Sequence, residues 1–362
     1  MAQGHRLRPH RPEVMSTLGS QAMATLTDAA ADDRQGVREL VSLINSGALA
    51  QALRVAAELR IPDLLAGGPK QVEDLACATG SHAPSLRRLL KALSSIGVCR
   101  ERDDGSFALD TVGALVRSDG ESSLRSWVLW FGRYQWPMWG NLLRSVKTGE
   151  SARKAAYGTD GFGHLERDAE AATVFDNAMT ELSRLVADEV VAAYDFTGLT
   201  SVVDVGGGRG ALVCAILEAH PSIRGTVLDR PHAFAAQDKD LARCDFVVGD
   251  FFQSVPAADL YLLKNVIHDC DDEQSVRILR NCRTAMPAHG RMLVIERVMP
   301  ERLESTARHR TIAWADLAML VGPGGKERTE AEFRALLDHA GIGLRSVIPT
   351  ATEYTILEAV PR

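Results

Sequence analysis

Residues 201–210, SVVDVGGGRG, constrain this chain more than any other stretch. Val202, Val203 and Val205 form an apolar run broken only by Asp204; three glycines, Arg209 and Gly210 follow, and the apolar stretch ALVCAILEA begins at once. The pattern reads as a buried strand, a tight turn and the opening of a helix. Glycine is required in such a turn because a side chain would strain the backbone or hold a ligand off its N–H groups. A nucleotide-type cofactor site is therefore expected here.

From Leu199 onward, strand and helix patterns alternate. Seven strand patterns can be read: SVVDV, GTVLD, DFVVGD, DLYLLK, RMLVIERV, LRSVIP and YTILEAV. Helical patterns separate them, including one after Pro231, DEQSVRILRNCRTAM, TIAWADLAML and TEAEFRALLDHA. Alternation of this kind predicts an α/β fold with a parallel sheet covered by helices on both faces. The last two strands lie too close for a crossover, so they form a hairpin and the final strand is expected to be antiparallel.

Ligands of open α/β sheets bind beyond the carboxyl ends of the strands. Those positions here are Gly206 and Gly208 after the first strand, Asp229 after the second, Asp250 and Phe251 after the third, Lys264 and His268 around the fourth, and Glu296 at the fifth. A carboxylate at Asp229 suits the two hydroxyls of a ribose. Gly206, Gly208 and Ala211 also satisfy the glycine pattern of a dinucleotide fold, so NAD(P) competes as the ligand. Two features oppose it: Asp204 stands two residues before the first glycine, as suits a ligand with an amino acid tail, and NAD domains usually lack a terminal hairpin.

The N-terminal half is organised differently. Residues 1–34 are poor in large apolar side chains and read as a disordered tail. Amphipathic helices start near Val37, and residues 71–109 read as two short helices followed by a two-stranded wing turning at Asp104 and Gly105. A winged helix-turn-helix suggests DNA binding, but residues 36–120 hold ten basic and ten acidic side chains. Duplex binding draws most of its non-specific affinity from excess positive charge. Packing or dimerisation is the better reading for a module of residues 35–120.

A connector, residues 121–197, carries Trp127, Trp130, Trp136 and Trp139. The cluster suits either a pocket for a flat aromatic ligand or packing against the core. Residues 145–168 read as a loop with Phe162 isolated in it. The helix that follows aligns Phe175 and Met179 on one stripe, a pattern shared by core residues and pocket walls.

Six widely spaced cysteines form no C-x-x-C pair, which opposes a zinc site or a disulfide framework and suits reduced thiols in the cytoplasm. No uncharged apolar run reaches the roughly 18 residues of a spanning helix, and no apolar core follows the arginines of the first residues as in a secretory signal. A net charge of −6 weighs against nucleic acid as a partner.

VVDVGGGRG, VLDRP, GDFF, LYLLKNVIHDCDDE, LVIERVMPE and GPGGKERTEAEF, in this order, resemble the S-adenosylmethionine-dependent O-methyltransferases of the caffeic acid and hydroxyneurosporene type. The resemblance runs from about residue 37 to 362. It implies a Rossmann-like seven-stranded domain over residues 198–362 and a homodimer formed through the winged-helix part. It implies S-adenosylmethionine as cofactor, with Gly206 and Gly208 at its methionine part, Asp229 at the ribose, Asp250 and Phe251 at the adenine, and Lys264 in contact with it. His268 matches the family's general base, oriented by Glu296 and Glu327. Phe175, Met179, Asp269 and Met319 are the expected substrate-binding residues. The implied reaction is methylation of a hydroxyl, expected to be phenolic, on a small aromatic metabolite, with no metal; transfer to nitrogen or carbon on the same fold is the alternative. Cys270 stands where the family has tryptophan, which leaves the pocket shape open.

Overall fold

The computed structural model describes residues 34–159, 162–234 and 243–362 in full, with Met1 and the helical course from Met15. Of the tail expected over residues 1–34, residues 2–14 lie outside the described residues, and from Met15 the backbone is helical instead. The chain divides into two compact units, residues 1–52 and 53–362.

From Met15 the first unit is helical, part of the helix Met15–Glu58, which carries Val37, Leu40, Val41, Leu43 and Ile44 exposed along its described part. The stretch Arg34–Glu58 is long and apolar enough, by length and composition only, to cross a bilayer. Arg38, Glu39 and Arg54 interrupt its uncharged run, which is why no spanning helix is expected from the sequence.

The second unit opens with the expected winged helix-turn-helix. Helix Val72–Thr79 ends at Gly80. Helix Ala83–Ser94 buries Leu86, Leu90 and Leu93 on one face. Strands β1 (Cys99–Glu101) and β2 (Phe107–Leu109) pair antiparallel across a turn in which Asp104 accepts the Ser106 N–H at 3.0 Å.

The connector departs from expectation over residues 145–168. Instead of a loop it contains the end of helix Leu142–Thr148 and the helix Ala152–Tyr157. The glycines that suggested a loop are helix ends: Gly149 and Gly158 both close a helix in the left-handed region. Phe162 is not isolated, since its ring lies 5.4 Å from Phe175 and the Arg153 guanidinium sits 4.7 Å above it.

The large sheet contains β3 (Ser201–Val205), β4 (Arg224–Asp229), β5 (Cys244–Val248), β6 (Leu260–Lys264), β7 (Arg291–Arg297), β8 (Ile342–Pro349) and β9 (Tyr354–Pro361). Their order is β5-β4-β3-β6-β7-β9-β8. The first five in sequence are parallel, and β9 runs antiparallel between β7 and β8, as the short hairpin demands. Val203, Leu260, Leu262, Leu263 and Ile295 are essentially inaccessible to solvent. Burying each such side chain is worth roughly 1.5–3 kcal/mol, which is what makes this sheet a rigid platform. After β4 only a short turn, Pro231–Phe234, is seen; the rest of the helix expected there lies outside the described residues. Because β4 and β6 flank β3 on opposite sides, the chain reverses its winding there, and the crevice beyond the ends of β3 and β6 is where such a sheet binds ligands.

Candidate active site

The glycine turn is shaped as the sequence requires. Gly206 and Gly208 have φ of 69° and 58°, conformations that side chains disfavour. A Cβ on Gly206 would also lie 3.0 Å from Val266 and 3.5 Å from the Phe251 ring. The Gly208 N–H donates to Asp229 Oδ2 at 2.7 Å, and the Arg230 N–H donates to Oδ1 at 2.6 Å. Burial raises the Asp229 pKa against those two bonds.

Beneath the turn, Asp204 is buried and Lys264 is half-buried. Burial pushes Asp204 up to about 7, opposed by Lys264, and pushes Lys264 down to about 8, opposed by Asp204 and Glu296. Each is drawn toward neutrality, which costs less than two full charges in a low-dielectric interior. Asp250 turns the chain after β5 by accepting the Phe252 N–H at 2.9 Å, and the Phe251 carbonyl accepts from Asn281 at 2.8 Å.

These residues fit an S-adenosylmethionine site. The left-handed glycines keep the turn free of side chains, the Asp229 oxygens retain lone pairs for hydroxyls, and Phe251 lies beside Gly206. The helix Ala169–Ala193 adds contacts that the sequence did not reveal. Its Asn177 accepts from Arg209 of the turn, and its buried Asp176 lies 3.3 Å from Nδ1 of His232.

Thirty residues of register set the second cluster. The turn Ile267–Asp269 places His268 just past β6, while Glu296 comes from the neighbouring β7. Glu296 Oε1 accepts the backbone N–H groups of Val266, Ile267 and His268 at 3.1, 3.0 and 3.3 Å. Its Oε2 lies 3.3 Å from His268 Nδ1, and Glu327 Oε1 lies 3.2 Å from the same nitrogen. His268 Nε2 is left facing Asp269, at 3.6 Å from Oδ1. Both glutamate side chains are fully buried, so the expected base and its two carboxylates do converge.

Burial alone would lower the His268 pKa, but Glu296, Glu327 and Asp269 outweigh it and bring it to about 9. Burial raises Glu296 to about 7 against the pull of His268. The donor atoms of the trio lie within 4.8 Å of one another, close enough for a cation. Three N–H donors already occupy Glu296 Oε1, and a carboxylate pair faces Nδ1, which suits a hydrogen-bonded acid–base cluster better than a metal centre.

Residues that sequence reasoning passed over hold this cluster in place. Arg328, fully buried, donates to the carbonyls of Ile267 and Cys270 at 2.8 and 2.7 Å and to Asp272. Asp316 accepts the Glu327 N–H at 2.9 Å. The GPGG loop passes so close that a Cβ on Gly325 would meet the His268 carbonyl oxygen at 1.9 Å. Cys270 itself packs in the core with Ile278, Leu279 and Phe333. Arg328 and Asp316 were not singled out from the sequence, because a buried arginine and a surface arginine read alike.

The expected substrate residues are divided. Asp269 adjoins His268. Phe175 meets Trp130 edge to face at 4.9 Å, and both Phe175 and Met179 pack, partly exposed, on the cluster of Trp130, Tyr134 and Leu165. Met319 is partly exposed, and its carbonyl accepts from Gly324 of the loop at 2.8 Å. Arg153 and His164, both buried, lie in the same region. Burial lowers Arg153 to about 10 and His164 to about 4.

Comparison with known proteins agrees with this geometry. Residues 139–343 match the O-methyltransferase domain family and residues 41–117 the O-methyltransferase dimerisation domain family. A phenazine O-methyltransferase of Lysobacter antibioticus is 43% identical over 329 residues, covering 89% of this chain and 95% of that protein. A mitomycin biosynthesis 6-O-methyltransferase of Streptomyces lavendulae is 40% identical, covering 87% and 92%. An O-methyltransferase of neocarzinostatin biosynthesis, solved with S-adenosylmethionine and 2-hydroxy-5-methyl naphthoic acid, superposes with a TM-score of 0.74 at 35% identity, covering 87% and 96%. The oxidoreductase alternative finds no support among them. The chain belongs to the S-adenosylmethionine-dependent O-methyltransferases.

Proposed function

We propose that this enzyme methylates a phenolic hydroxyl of a small aromatic secondary metabolite, with His268 as the general base. The observation that carries the reading is the buried His268, held on its Nδ1 side by Glu296 and Glu327 and placed one strand end away from the glycine turn. Gly206, Gly208, Asp229, Asp250, Phe251 and Lys264 would hold the cofactor. When bound, S-adenosylmethionine supplies an electrophilic methyl group on a sulfonium.

A neutral phenol, with pKa about 10, is a poor nucleophile, and a positioned base contributes roughly 10² to 10⁴ in rate. His268 would take the hydroxyl proton on Nε2 and so make the phenolic oxygen nucleophilic toward that methyl group. The imidazolium so formed is what Glu296 and Glu327 stabilise from the Nδ1 side. The positive charge of the bound cofactor would favour the neutral form of His268 before transfer. Phe175, Met179, Asp269 and Met319 would line the acceptor site, with the aromatic wall around Trp130 suiting a flat ring. Residues 41–117 would form a homodimer, and the enzyme would work in the cytoplasm.

Replacing His268 with Ala is expected to slow turnover by roughly 10² to 10⁴ while calorimetry with S-adenosylmethionine gives an unchanged affinity. Unaltered turnover would remove His268 as the base. Binding of NAD(H) with no binding of S-adenosylmethionine would overturn the cofactor assignment.

A further inference from the structure

Asn265 is one of two non-glycine residues with positive φ among the described residues, at 56°, and it sits between the last residue of β6 and the turn that carries His268. A left-handed conformation costs an L-residue roughly 1–2 kcal/mol, and Asn bears it better than most. Val266 follows at φ −112° and ψ −49°. A left-handed residue followed by right-handed ones turns successive N–H groups to one side of the chain, the geometry of an anion-binding nest. Here the N–H groups of Val266, Ile267 and His268 converge on Glu296 Oε1.

The Asn265 side chain is itself anchored. Its Nδ2 donates to Tyr354 Oη at 3.0 Å, and Tyr354 is buried on β9, opposite Arg297 in the β7 register. The Arg297 guanidinium stacks 4.4 Å from the Tyr354 ring and lies 3.9 Å from Glu327 Oε1. Tyr354 of the terminal hairpin thereby contacts both the Asn265 turn, whose following N–H groups hold Glu296, and Arg297, which lies beside Glu327.

We infer that Asn265 and Tyr354 are positioning residues for the base: the left-handed turn at Asn265, locked by the Tyr354 hydroxyl, holds the three N–H groups on Glu296 and so fixes the charge and placement of the carboxylate behind His268. The inference rests on the reading of His268 as base for its catalytic meaning, but the contacts stand without it. His268 is faced by Glu296 from β7, by Glu327 ahead of helix Glu330–His339 and by Asp269 beside it, while Lys264, Arg297 and Arg153 act on those carboxylates from further off. Releasing the three N–H groups would let Glu296 hold a proton more readily and so weaken its support of the imidazolium.

The test is an NMR titration of the full-length protein with isotope-labelled histidine, bound to S-adenosylhomocysteine, the His268 signal being assigned by its loss in H268A. In Asn265→Ala the His268 midpoint is expected to fall by about one pH unit, the scale of a lost charge contact. In Asn265→Gly, which adopts the same φ freely, it should stay within about 0.3 unit of wild type. Tyr354→Phe, which leaves the backbone residue in place, should move it in the same direction as Asn265→Ala. A wild-type midpoint in Asn265→Ala or in Tyr354→Phe, or an equal displacement in Asn265→Gly and Asn265→Ala, would overturn the inference. Failure of the general-base reading appears separately, as full turnover in H268A.

Discussion

His268 shows how much a single residue's surroundings decide. Its pKa of about 9 keeps it protonated at neutral pH in the free enzyme, because three carboxylates outweigh burial. A group raised above its unfolded value stabilises the fold fully below pH about 6.5 and loses that contribution as pH rises through about 9. For the proposed role as base the sign is opposite: the imidazole must be neutral to take a proton, so kcat/KM is expected to climb with pH through the free-enzyme value. In Glu327→Gln one of the charges that raise it is gone, so the rising limb should shift to lower pH by about one unit while kcat falls. A pH–rate profile measures this directly, and superimposable limbs for the two enzymes would refute the role given to Glu327. The histidine and both glutamates were legible in the sequence because strand ends and family motifs point to them. Arg328, Asp316, Asp176 and Arg153 were not, since burial of a charge is a product of tertiary packing and leaves no local pattern.

At the scale of elements, the segments that carry chemistry are the strand ends and the loops that cap them. The strands, the glycine turn and the antiparallel hairpin were all readable, because alternation and apolar runs report directly on burial in a sheet. Residues 145–168 were misread because Gly149 and Gly158, as helix caps, look like loop residues when taken one at a time. The GPGG loop is the element whose position matters most beyond the sheet. Lys326 N–H donates to the His268 carbonyl at 2.9 Å, and Gly325 leaves no room there for a methyl group. Gly325→Ala must therefore displace either the loop or the His268 turn, and a shift of about 1 Å in a catalytic group can cost on the order of 10² in rate. We expect at least a tenfold loss of kcat with a folded protein by circular dichroism; wild-type kcat would show that the two backbones are not held in contact.

Across the whole molecule, one sheet brings two chemistries to the same edge. β3 and β4 present the glycine turn and Asp229, and β6 and β7 present His268 and Glu296. The glycine pattern alone left NAD(P) open; Asp204 below the turn and the hairpin at the far edge turned the reading toward a methyl donor, in agreement with the family match over residues 139–343. The winged helix was visible in the sequence, and its balanced charge pointed away from DNA, in line with the dimerisation family matched over residues 41–117. The acceptor was least legible, because the aromatic wall around Trp130 is assembled from residues 127–179, where helix packing and pocket lining draw on the same side chains. The most direct measurement is transfer from S-adenosylmethionine carrying an isotope-labelled methyl group to a panel of phenols and aromatic amines, with products located by mass spectrometry. The account predicts label on a phenolic oxygen with equimolar S-adenosylhomocysteine, both lost in H268A; label on nitrogen or carbon alone, or undiminished oxygen labelling by H268A, would contradict it.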